Sequence, residues 1–175
     1  MLACAALSTA AKSPPEPPGE LLASVEMVEG WKPVERRTGW WFYAQKIHPD
    51  LAAPSVTGYE YSNGKLVREF GGGTEADLYD AIRQAKLEQF DMEQETEAAS
   101  NRMIEASGAE LFICGARDGA RYRITFVTAA GRFQYELWNP DNTINCLAPA
   151  SERLARLKVL LDLLRKFYAD SRLWS

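Results

Sequence analysis

Three groups of residues in this sequence are of types that do chemistry. The first is the carboxylate run Glu88-Gln89-Phe90-Asp91-Met92-Glu93-Gln94-Glu95-Thr96-Glu97. Glu88, Asp91 and Glu95 are spaced by three and four residues, which places them on one face of a helix. Carboxylates so arranged can hold a divalent cation or exchange protons with a substrate. A di-iron bundle, however, needs histidines at helical spacing on further helices, and the only histidine is His48, in Ile47-His48-Pro49-Asp50. No nucleophile-elbow serine accompanies it, and it reads as a turn residue. Residues 74–107 hold nine acids against three bases, a net charge of −6. That is the pattern of a solvated helix face, which can also dock a basic partner. The expectation is no catalytic residue, no metal and no cofactor.

The second group is the cysteines, Cys4, Cys114 and Cys146. They lack the close Cys/His pairs of a zinc site. In an oxidising compartment Cys114 and Cys146 could pair as a disulfide; in a reducing cytosol they would be two buried thiols. Met1-Leu2-Ala3-Cys4 resembles the end of a bacterial lipoprotein signal, where small residues precede a cysteine that becomes lipid-modified. The resemblance implies an envelope protein with its only membrane attachment through Cys4. A role-free Ala-rich terminus and the remnant of another targeting peptide are the alternatives. Residues 12–19 then carry four prolines in eight, so residues 1–20 read as a tether ahead of one domain, 21–175.

The third group is aromatic: Trp31, Trp40, Trp41, Tyr43, Tyr59 and Tyr61. Consecutive Trp40 and Trp41 must face opposite sides of a strand. One fills the core, and the other is covered or anchors an interface. Trp40, Trp41, Tyr43, Tyr59 and Tyr61, with Glu88, Asp91 and Glu95, form the candidate partner-binding set.

Behind these groups lie the elements that must position them. Residues 21–28 read as extended or briefly helical, and 38–47 as an aromatic-rich strand. Val56–Tyr61 and Lys65–Phe70 flank Asn63-Gly64, whose positive φ angles suit a type I′ turn; this is a hairpin over 56–70. Gly71-Gly72-Gly73 reads as a connector rather than an anion cradle, because Glu75 and Asp77 follow where a phosphate loop needs a lysine. Thr74 then caps a helix running to about 107, some 50 Å if continuous, with a break plausible near 97–100 and Gly108 as its stop. A three-strand meander spans 110–138. In it Tyr122, Ile124 and Phe126, then Phe133, Tyr135 and Leu137, alternate with polar residues, so one sheet face is buried. Asn139–Asn142 reads as a turn followed by loop to Pro149. Ser151 caps the last helix, about 151–169, with a core stripe of Leu154, Leu157, Leu161, Leu164 and Tyr168. Its further apolar residues, Val159 and Leu163 among them, require cover on a second side. The order is that of an α+β fold, helices packed on an antiparallel sheet.

The formal net charge of −4 offers no basic footprint for nucleic acid, and no stretch approaches the ~20 apolar residues of a membrane helix. The expected function is a non-enzymatic protein-binding module of the cell envelope or periplasm, an inhibitor, immunity-type or accessory protein. The alternative is a supernumerary or assembly subunit of a large intracellular complex. A carboxylate enzyme using Asp91 and Glu95 ranks third.

Overall fold

A computed structural model describes residues 19–28, 38–45, 54–74, 76–108, 114 and 120–172. Cys4, Trp31, His48, nearly all of the tether and most of the expected strand at 110–115 lie outside them. The described chain is α+β, as the periodicities require. Its strands are β1 (Glu20–Val28), β2 (Gly39–Gln45), β3 (Ser55–Ser62), β4 (Lys65–Thr74), β5 (Arg121–Thr128) and β6 (Gly131–Trp138). They form one antiparallel sheet in the order β4-β3-β2-β1-β5-β6. The helices are α1 (Ala76–Arg83), α2 (Met92–Ser107), α3 (Pro140–Leu147) and α4 (Glu152–Arg172), with a 3₁₀ turn at Ala148–Ala150 before α4. None is long and apolar enough to cross a membrane.

Strand alternation sorts the side chains between two layers. Phe42, Val56, Phe70, Ile124, Phe126, Tyr135 and Leu137 join apolar residues of all four helices in one core. Trp41, Tyr43, Tyr59 and Tyr61 form a separate buried cluster, on the opposite face by strand parity. The long helix α4 contributes most to the main core. Leu154 and Leu157 are fully buried and Leu160, Leu161, Leu164 and Phe167 nearly so; each such burial contributes roughly 1.5–3 kcal/mol. Ser151 caps α4 as its position predicts, Oγ accepting from the Leu154 amide at 3.2 Å. Cover on the second side is incomplete: Val159 is exposed and Leu163 half-buried.

Residues 21–28 take the extended one of the two expected forms, and β1 lies inside the sheet between β2 and β5. Three local expectations change. Thr74 ends β4 instead of capping a helix, and Gly71 is a packed strand residue (φ +84°) against which the Phe167 ring lies too closely for any β-carbon. The single helix over 74–107 is two helices. The break falls at 84–91, not at 97–100, because tertiary bonds claim that segment: Tyr135 donates its hydroxyl to the Glu88 carbonyl at 2.6 Å, and the Phe90 ring stacks on Tyr135 with centroids 4.9 Å apart. Finally, residues 140–147, expected as turn and loop, form α3, with Pro140 opening the helix where its missing N–H costs nothing.

Candidate functional site

The candidate partner-binding aromatics divide between two environments. Trp41, Tyr43, Tyr59 and Tyr61 each expose at most 9% of their surface. They pack edge-on in pairs, Trp41 with Tyr61 and Tyr43 with Tyr59, at centroid distances of 5.2 and 5.8 Å. Burial, reinforced by the Glu69 charge, raises the Tyr59 hydroxyl above its ordinary pKa. Trp40 is on the helix side, half-buried and edge-on to Tyr168 at 5.8 Å. Tyr168 in turn donates to the Glu60 carboxylate at 2.9 Å.

Trp40 lines a cavity of about 500 Å³ between the sheet and the helices α3 and α4. Val25, Phe42 and Tyr122 of the sheet and Leu161 and Leu164 of α4 share its walls. The charged lining residues are Asp141 and Arg165, which pair with each other. The Trp40 Nε1–H is buried and meets no acceptor among the described residues.

The three candidate carboxylates do not share a helix face. Glu88 lies in the 84–91 segment, Asp91 is the N-cap of α2, and Glu95 is inside α2. Asp91 Oδ1 accepts from the Gln94 amide at 3.0 Å. Glu88 and Glu95 nevertheless converge on Arg153 of α4. The guanidinium reaches Glu88 at 3.0 Å and Glu95 at 2.9 Å, and lies 5.4 Å from the centroid of the Phe90 ring. Glu95 also accepts from Ser151 Oγ at 2.8 Å and pairs with Arg102 at 3.1 Å. The Arg153 hydrogen bond holds the Glu88 carboxyl below its usual range. At Glu95 burial pushes the other way, but the bonds from Ser151, Arg153 and Arg102 outweigh it and the pKa falls. The chain thus uses these acids to fasten α2 and the 84–91 segment to the start of α4. Sequence reasoning missed Arg153, Arg102 and Ser151 as their partners. The spacing Asp91-x-x-Gln94 was a readable helix-start signal.

Among the described residues no group of three or more His, Cys, Asp or Glu is placed to hold a metal ion. Cys114 and Cys146 form a disulfide with Cα atoms 5.8 Å apart, tying α3 to residue 114.

The two sheet edges differ. At β6, Gln89 meets the outer edge at one residue: its Nε2 donates to the Gln134 carbonyl at 3.0 Å and its Oε1 accepts the Gln134 amide at 3.4 Å. At β4 no described strand pairs with the outer edge, and the hairpin beside it carries two consecutive exposed aliphatics, Leu66 (51%) and Val67 (61%). No family model, no curated protein and no solved structure matches this chain.

Proposed function

We propose that this chain is a non-enzymatic protein-binding module of the cell envelope, an inhibitor, immunity-type or accessory protein. It would meet its partner by adding an extended segment of that partner to the outer edge of β4. The observation that carries the reading is the exposed apolar edge of β4. An edge strand is a template for another strand; β4 presents Lys65–Phe70 with Leu66 and Val67 exposed, while the outer edge of β6 is met at Gln134 by the Gln89 side chain. Exposed aliphatics beside such an edge give the added strand apolar contacts on both faces. The Cys114–Cys146 disulfide supports an oxidising compartment. An intracellular assembly subunit would keep those thiols reduced.

The test is recovery of a partner from envelope extract on the immobilised, disulfide-bonded protein. A Leu66→Lys/Val67→Lys double variant should lose at least about tenfold in recovery, whereas Val159→Lys on α4 should retain it. Equal recovery by the double variant and the wild type would overturn the edge-strand reading. Sedimentation of the purified chain separates a foreign strand from a second copy pairing β4 to β4. Intact mass without reduction checks the compartment: two free thiols in protein taken directly from its cell, with no lipid mass on Cys4, would favour the intracellular alternative. Unchanged binding with Asp91→Asn and Glu95→Gln, in variants that remain folded, would set aside a chemical role for those acids.

A further inference from the structure

We propose that residues 12–18, Lys-Ser-Pro-Pro-Glu-Pro-Pro, dock as a polyproline helix on the sheet face opposite the helices. The Trp41, Tyr43, Tyr59 and Tyr61 cluster is then a proline-recognition surface that the chain itself occupies. What calls for an occupant is burial without a described cover. Trp41 and Tyr61 are 4% exposed, Tyr59 7% and Tyr43 9%. Cross-strand pairing sets Tyr59, Trp41, Ser24 and Thr125 in one row on this face, and Ser24 and Thr125 are wholly buried too. Yet all four helices pack into the other core, and among the described residues only Leu21 joins the aromatic cluster. Rings of this size on a bare sheet face would be wet.

Residues 12–18 fit by position, length and chemistry. They lead into Gly19, which at φ +122° lies against the Ala44 carbonyl and the Gln45 side chain; Gln45 hydrogen-bonds Tyr59. A polyproline helix rises ~3.1 Å per residue, so seven residues reach about 22 Å; the four-strand row, at ~4.8 Å per step, spans about 14 Å. With three residues per turn, Pro14 and Pro17 form one apolar row and Pro15 and Pro18 the next, while Ser13 and Glu16 form a third that faces water. Proline brings no backbone N–H to be left unmet on an aromatic surface, which is how proline-rich segments seat in aromatic grooves. Residues 29–37 instead carry five charges in nine, costly to bury there. The surface lies on β2 and β3, so the inference does not rest on the β4 edge.

In the full, disulfide-bonded chain, nuclear Overhauser contacts should join the δ-protons of Pro14, Pro15, Pro17 and Pro18 to the rings of the cluster. Replacing these four prolines by serine should raise hydroxyl-radical oxidation of Trp41, Tyr43, Tyr59 and Tyr61 about threefold or more, as rings now at most 9% exposed come to face water. Tyr135, in the other core, should stay protected. Glu16→Ala, on the outward row, should leave the pattern unchanged. A free peptide of residues 12–19 at about 5 mM, comparable with the effective concentration of a short tether, should restore protection to the serine variant. Absence of proline-to-ring contacts in the wild type, unchanged protection in the serine variant, or no restoration by the peptide overturns the proposal; the first two assign the cover to another segment, such as 29–37 or 46–53. Should the serine variant expose Tyr135 as well, the wild-type contacts decide.

Discussion

Removing the Glu95 carboxylate tests the junction that fastens α2 to α4. The side chain is only 12% exposed and accepts from Ser151, Arg153 and Arg102 at 2.8–3.1 Å. The Ser151 bond is the desolvated one, because Ser151 is 6% exposed; a hydrogen bond to a charged group in that setting contributes roughly 1.5–3 kcal/mol. The two arginines are more than two-fifths exposed, so solvent screens their share and little is added for them. Glu95→Ala should therefore cost about 2 kcal/mol, and Glu95→Gln, which keeps an acceptor but no charge, about 1 kcal/mol. At 2–4 °C per kcal/mol for a chain of this size, the alanine variant should melt roughly 4–8 °C lower. Because the folded-state pKa of Glu95 lies below the usual value, its stabilisation is fully present above the unfolded pKa of about 4.3 and is lost as pH falls through the folded one. Urea unfolding from pH 7 down to 3 should show the gap between wild type and Glu95→Gln level until about pH 5 and then closing. A Glu95→Ala variant within about 0.5 kcal/mol of wild type at pH 7, or a gap that stays open to pH 3, would refute the assignment.

Further outcomes follow from single contacts. Reducing Cys114–Cys146, which closes a loop of 32 residues in sequence separation, should lower stability by up to about 3–4 kcal/mol by loop entropy, read as a shift of the urea midpoint on adding reductant. Gly71→Ala should cost more than about 1 kcal/mol, because an alanine there takes a positive φ and meets the Phe167 ring; unchanged thermal melting would contradict that packing. Tyr135→Phe should lose about 1 kcal/mol by orphaning the Glu88 carbonyl it serves. Burial, with the Glu88 charge, pushes the Tyr135 hydroxyl up to about 12. The contribution of Tyr135 is thus complete below pH 10 and lost as pH rises through about 12, measurable as an ultraviolet titration step near pH 12 that Tyr135→Phe removes.

Periodicity along the chain determined the local architecture. Asn63-Gly64 marked the β3–β4 hairpin, Tyr122, Ile124 and Phe126 marked the buried face of β5, and the leucines of 154–164 with Ser151 marked α4 and its start. These signals are legible because a side chain's direction repeats every two residues in a strand and every 3.6 in a helix. They state which face is apolar and leave open what will cover it. The tertiary structure decided the rest. It placed β1 between β2 and β5, where cross-strand pairing and not local pattern settles the neighbours. It broke the acidic helix at 84–91, a stretch without Gly or Pro, because bonds to Tyr135 and Gln134 outweigh one more turn of helix. It brought Glu88 and Glu95 to Arg153 across 65 and 58 residues of sequence. It also assembled a cavity from β1, β2, β5, α3 and α4. Arrangements of this kind join segments far apart in the chain, so no spacing within one segment encodes them.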